Sequence, residues 1–196
     1  MSKSTRKRRS INRESIVKMA AQLFIIEGYH GASISAIASK MGVTKPALYY
    51  YFRNKREILR EITNRTIEPA NKVIEIGRSD LPPKNRLRKI ITTLIKTSAE
   101  MPETTLITFE MSNILPVKDR NLLRQRHKEV EEVVYKTIEE GVAQGLFRTK
   151  NIKIATFAIL GASNSIYRWY SPKGMLTPTK IANQFIDLLA NGYLKK

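Results

Sequence analysis

Three consecutive phenols, Tyr49, Tyr50 and Tyr51, stand between Lys45 and the basic group Arg53, Lys55 and Arg56. Phenol hydroxyls and ammonium groups bond phosphate oxygens and base edges, so this run carries the chemistry of nucleic-acid contact. On a helix, residues i and i+4 share a face and immediate neighbours do not. Leu48 and Phe52 are so related and face a core, which leaves Lys45, Ala47 and the tyrosines to project elsewhere. The elements that must hold them are two short helices joined by a tight turn. Ser33 supplies a hydroxyl N-cap for the first; Ile34, Ile37, Ala38 and Met41 recur at helical spacing, and Gly42 is the left-handed residue that stops it. Thr44 caps the second, with Pro46 in the first turn, where a missing N–H costs nothing. Asn54 caps a further helix that begins with Lys55 and Arg56. Cations there oppose the macrodipole, so an anion is expected beside them.

Upstream, Asn12 caps a helix with the stripe Ile16, Val17, Ala20, Phe24 and Ile25, ended by Gly28. Residues 1–10 lack apolar periodicity and are expected to be a disordered basic arm, either a solvated tail or one that follows phosphates into the minor groove. Downstream, Ile58, Ile62 and Ile67 carry a stripe as far as Pro69, and Pro82 and Pro83 interrupt the chain. Helical patterns follow at Arg86–Glu100, in a shorter apolar segment between Pro102 and Pro116 containing Leu106, Phe109 and Met111, and at Asp119–Gln144, ended by Gly145. Two apolar helices, Ile152–Tyr170 and Pro178–Tyr193, close the chain. No β-pattern is visible, so the fold class is all-α: a three-helix unit over residues 11–62 and a larger helical domain over 63–196.

The chain has 196 residues, no cysteine and a formal charge of +18. Residues 1–65 hold 14 Lys and Arg against 4 Asp and Glu, a net of +10, and the remaining residues hold 21 against 13, a net of +8. The basic excess is densest where the tyrosines lie, as a phosphate-binding surface requires. With no cysteine there is no disulfide, thiolate metal site or cysteine nucleophile. No segment approaches the roughly 20 apolar residues that span a bilayer, and a cytoplasmic protein with no membrane partner is expected. His30 and His127 have no convincing nucleophile or metal partner, so neither an enzyme nor a cofactor is expected.

The string from Gly28 to Leu59, G-x-x-x-x-S-I-x-x-I-A, then M-G-V-T-K-P-A-L-Y-Y-Y-F and N-K-R-E-I-L, resembles the DNA-binding domain of the TetR family of one-component repressors. The resemblance covers nearly all of residues 11–62. It implies a homodimer on palindromic double-stranded operator DNA. It implies that Tyr49 and Lys55 hold phosphates, and that Thr44, Lys45, Pro46, Ala47 and Tyr50 lie on the entering face of a recognition helix. Lys45 is the candidate for guanine O6 and N7, and Pro46 or Ala47 for a thymine methyl. Ser33, Ser35 and Tyr51 would flank the DNA backbone, with Arg53 and Arg56 as phosphate neighbours. The last two helices would form a four-helix bundle with a second copy. Their apolar residues, Phe157, Ile159, Leu160, Ile166, Phe185, Ile186, Leu188 and Leu189, otherwise complete the monomer core.

The family also implies a small-molecule effector bound in the C-terminal domain. The stretch N-x-x-x-R-W-Y-x-P-x-G, here Asn164, Arg168, Trp169, Tyr170, Pro172 and Gly174, resembles the penultimate helix of the acyl-CoA-responsive subgroup, which includes repressors of fatty-acid degradation (FadR-like) and steroid catabolism. Trp169 and Tyr170 would stack on adenine, and Arg168 and Lys173 would pair with phosphate; the same Trp and Arg also suit an interface anchor. Leu94, Leu106, Phe109, Ile114, Val134 and Phe157 would line the tail, and a medium or long acyl-CoA is the expected effector, acting on lipid-metabolism genes. The alternative within the family is a multidrug sensor governing a transporter. It would favour a buried carboxylate, for which Glu110 is the candidate. A DNA-coating protein without an effector is the remaining reading, but about 130 C-terminal residues exceed what dimerisation needs.

Overall fold

Each helix start in the first fifty described residues is tied by a side chain. In the computed structural model, which describes residues 11–110, 113 and 115–191, α1 (Arg13–Gly31) begins with a reciprocal capping box: Asn12 Oδ1 accepts from Ser15 N at 2.8 Å, and Ser15 Oγ accepts from Asn12 N at 3.1 Å. Gly28, at φ 73° and ψ 158°, kinks α1 where an L side chain would be strained. Ser33 caps α2 (Ile34–Met41) by accepting from Ala36 N at 3.0 Å, and Gly42 closes it in the left-handed conformation at φ 67°. Thr44 caps α3 (Lys45–Tyr49), which is five residues long, so the tyrosine run straddles its end rather than filling a full helix. α4 (Lys55–Gly77) starts at Asn54, whose Oδ1 accepts from Glu57 N at 2.9 Å. Ile16, Phe24, Ile37, Leu48, Phe52, Ile58 and Leu59 are buried and form the core of this unit.

Backbone contacts gather into two units, Met1–Ile62 and Thr63–Lys196. The second contains the rest of α4, then α5 (Pro83–Glu100), α6 (Pro102–Glu110), α7 (Val117–Ala143), α8 (Ile152–Asn164), a 3-10 turn (Ser165–Arg168) and α9 (Pro178–Asn191). The described residues are all-α, as the periodicity requires. α4 continues through Pro69 instead of stopping there, because Val73 and Ile74 extend its apolar stripe into the core of the second unit. That core is built on Val73, Ile90, Ile95, Val134, Ile159 and Ile181. Val134 is fully buried in it. Gly77 lets α4 and α7 approach closely, since a Cβ there would lie 2.4 Å from Val133 Cβ. Residues 1–10, Met111, Ile114 and Tyr193, and the side chain of Glu110, lie outside what the structure describes.

Candidate functional site

In the first unit, Tyr50 is 85% exposed and its ring meets that of Tyr51 edge-on at 5.1 Å. Lys45 projects past the Tyr49 ring, its Nζ 5.8 Å from the centroid. Ser33, Ser35, Thr44, Lys45, Pro46, Tyr49 and Tyr50 are exposed, and Ala47 is half-buried. One short turn of helix thus presents an ammonium, two phenols and a small apolar side chain on the most basic part of the chain. That is the chemistry of a groove reader.

Two expected members of this set hold other posts. The Lys55 ammonium points back to the C-terminal carbonyls of α1: it donates to Tyr29 O, to Ala32 O at 2.8 Å and more weakly to His30 O at 3.5 Å, and lies 4.4 Å from the Tyr29 ring centroid. A lysine has three N–H donors, and in this structure all three face carbonyls of α1 and its cap. The positive charge sits at the negative end of the α1 dipole. Carbonyl dipoles within the fold, not an anion, compensate the Lys55 charge. At the start of α4, Asn54 Oδ1 caps Glu57 N, and the Glu57 carboxylate reaches back to accept from Arg53 N at 2.7 Å. Tyr51 is likewise committed: its hydroxyl donates to Ile11 O at 3.0 Å, and its own carbonyl accepts from Arg13 Nη1 at 2.7 Å.

Sequence reasoning passed over Arg13. Its guanidinium lies 4.2 Å from the Phe52 ring centroid and within 3.9 Å of Glu57 and 3.7 Å of Glu61, so one side chain of α1 ties the end of the tyrosine run to α4. No periodicity marks an exposed arginine in a first helical turn for this role.

In the second unit a cavity of about 70 Å³ opens among the helices. α4 contributes Thr66, Pro69, Ala70 and Val73, and α5 contributes Leu94, Thr97 and Ser98. Thr105, Thr108 and Phe109 come from α6, His127 and Val130 from α7, and Asn164 from the end of α8. Phe109 and His127 stack face to face, centroids 4.9 Å apart and planes 3° from parallel. Burial holds the His127 pKa below its ordinary value, so the imidazole is neutral at pH 7.

Of the expected effector residues, Phe109 and Asn164 meet in this cavity. Arg168, Trp169, Tyr170 and Lys173 do not line it. Arg168 Nε donates to the Tyr167 hydroxyl at 3.1 Å, Trp169 is 57% exposed, Lys173 is exposed, and Tyr170 packs on the core. Of the expected tail lining, Leu94 and Phe109 are present; Val134 belongs to the core instead, and Phe157 is 47% exposed on α8. His127 was legible: Leu123, His127, Val130 and Val134 repeat at helical spacing, which puts the imidazole on the inner face of an otherwise charged helix.

Residues 16–62 match the family of bacterial regulatory proteins of the tetR type, and residues 80–193 match the tetracyclin repressor-like C-terminal domain. The chain is 24% identical over 187 residues to the HTH-type transcriptional repressor KstR2 of Rhodococcus jostii, covering 94% of this chain and 92% of that one. It is 31% identical to a TetR/AcrR-family regulator of known structure from Thermobifida fusca, with a TM-score of 0.67 over 93% of this chain and 98% of that one. AibR, solved in complex with isovaleryl coenzyme A and operator DNA, is 27% identical, with a TM-score of 0.71 over 92% and 99% of the two chains. A capped helix pair that presents exposed phenols and lysine, followed by a helical domain matched over most of its length, places the chain in the TetR family of DNA-binding transcriptional regulators, which are not enzymes.

Proposed function

We propose that this regulator is a homodimeric repressor that an acyl-CoA releases from a palindromic operator. Ser33, Ser35, Thr44 and Tyr49 serve the phosphates, with Arg53 and Arg56 beside them. Lys45, Pro46, Ala47 and Tyr50 read bases. The observation that carries the effector reading is the placement of Asn164 on the cavity, with Arg168 and Trp169 following four and five residues later at the exposed end of the same chain segment. One segment thereby offers a slot for an acyl group and, outside it, a cation and an indole suited to a nucleotide. The AibR complex with isovaleryl coenzyme A supports the same class of effector.

Dimerisation is supported by an unpartnered face on α8: Ile154, Phe157, Ala158 and Gly161 fall at i, i+3, i+4 and i+7 and are all exposed. Leu188 and Leu189 of α9 are 43% and 45% exposed. Two-fold pairing of such faces matches a palindromic site. Among the described residues the cavity lining carries no carboxylate for the multidrug alternative, and the side chain of its candidate, Glu110, lies outside them.

The test is operator binding with acyl-CoA, free CoA and free fatty acid, on duplexes selected from random sequence, with subunits counted by native mass spectrometry. Release by 100-fold requires about 2.7 kcal/mol of ligand preference for the non-binding state. Arg168→Ala with Trp169→Ala should abolish release and leave ligand-free DNA affinity nearly unchanged. A monomeric protein, or one whose operator binding ignores every acyl-CoA, defeats the proposal.

A further inference from the structure

The cavity has three properties that together select a ligand. It is small: about 70 Å³ accommodates roughly five non-hydrogen atoms, at about 15 Å³ for each water-sized site. Among the described residues no Asp, Glu, Lys or Arg lines it, and burial keeps His127 neutral. It also keeps unused hydrogen-bonding capacity.

Most of its hydroxyls are already satisfied within the fold. Thr105 Oγ1 donates to Met101 O at 2.9 Å and Thr108 Oγ1 to Thr104 O at 2.8 Å, while Ser98 Oγ donates to Asn164 O and accepts from Tyr167 N, each at 3.0 Å. Thr97, His127 and Asn164 are different. They come from three separate helices, line one cavity, and their side chains form no hydrogen bond with any described residue. All three are half-buried, so their polar atoms stay open to the space and can bond a polar atom placed in it. Between them they offer an imidazole donor and acceptor, a carboxamide and a hydroxyl, all neutral.

We propose that the cavity takes a short uncharged acyl group, of about three to five carbons, whose carbonyl or hydroxyl oxygen is read by Thr97, His127 and Asn164. This inference rests on the acyl-CoA reading and narrows it from the medium or long chains expected from the sequence to short ones. A free carboxylate and an organic cation are both excluded by the same physics: either would be buried without a counter-ion. A longer chain is opposed by the apolar lining of Leu94, Val73 and Val130.

Isothermal titration of the intact protein with acetyl-, butyryl-, isovaleryl-, octanoyl- and palmitoyl-CoA tests this. The expected optimum is butyryl to isovaleryl, with octanoyl-CoA at least tenfold weaker. Leu94→Ala and, independently, Val130→Ala should move the optimum toward longer chains, which no merely structural role for these residues would do. Asn164→Leu and Thr97→Val should each weaken isovaleryl-CoA about tenfold without changing the weak binding of free CoA. An optimum at octanoyl or longer in the wild type, or no shift of the optimum in either enlarged variant, overturns the proposal and leaves the acyl-CoA reading standing. If no acyl-CoA binds, isovaleramide against isovalerate, followed on the His127 ring signals by NMR, separates the two. Binding of the amide alone, lost in Asn164→Leu, keeps the neutral cavity and discards acyl-CoA; no binding of either discards both.

Discussion

Asn12, Ser33, Thr44 and Asn54 cap all four helix starts of the DNA-reading unit through side-chain oxygens, whereas in the effector unit Asn151 and Thr177 cap α8 and α9 but α5 and α7 begin at Pro82 and Pro116 with no such bond. The same contrast runs through the other polar groups. In the first unit Lys55, Tyr51 and Arg13 are committed to backbone carbonyls, while the second keeps Thr97, His127 and Asn164 idle around a hole. Local bonding fixes the reader to a tolerance that base contacts need. The effector unit is held largely by apolar packing. Its stability should therefore depend on close helix approaches more than on caps.

The largest expected effect is at Gly77. A Cβ would sit 2.4 Å from Val133 Cβ, and backbone or helix displacement is the only relief, so Gly77→Ala should cost about 2–3 kcal/mol in urea unfolding of the effector unit. By comparison Gly42→Ala meets no atom within 4 Å and pays only for its left-handed backbone, about 1 kcal/mol. A Gly77→Ala loss no larger than that at Gly42 would break the contrast.

Lys55→Ala comes next. It strands the α1 carbonyls of Tyr29 and Ala32 and should cost about 1–2 kcal/mol, discounted for partial exposure. The salt dependence of DNA binding discriminates here. A cap leaves the slope unchanged, whereas a phosphate ligand lowers it by about one. Ser33→Ala, removing the bond to Ala36 N, should cost about 1 kcal/mol, and Ser33→Gly only a few tenths.

The smallest effect is titration of His127. Its folded pKa lies below the ordinary 6.5, so as pH falls through that region the unfolded chain takes up the proton first. Stability is therefore full above about pH 7 and declines as pH falls toward the depressed folded value. His127→Phe preserves the stack on Phe109 and removes this decline; urea midpoints at pH 7.5 and 5.5 measure it, and equal acid sensitivity in the variant would assign it elsewhere.

The helix-turn-helix was legible because its signals are local. Ser33, Gly42, Thr44 and Asn54 act within three or four residues of themselves, and Leu48 and Phe52 declare their face by spacing alone. The end of α4 was misread because a proline's local penalty is visible in sequence and the packing of Val73 and Ile74 that outweighs it is not. The contacts that Lys55 and Tyr51 make within the fold were not legible for the same reason: their partners, Tyr29 and Ala32 or Ile11, lie 23 to 40 residues away. The cavity was only half legible. Asn164, Phe109 and Leu94 carried signals and His127 declared its inner face by spacing, but that these meet Thr97 around one space follows only once four helices pack.

By itself, then, the sequence determined the all-α class, the capped reader and its phenols, and the basic charge concentrated there, because periodicity, capping and composition are properties of neighbouring residues. Tertiary structure alone decided which cations bond carbonyls within the fold, which polar side chains meet around one cavity and how large that cavity is. Those depend on distances between residues far apart in the chain, and burial, not residue type, sets whether a lysine caps a helix or an imidazole stays neutral.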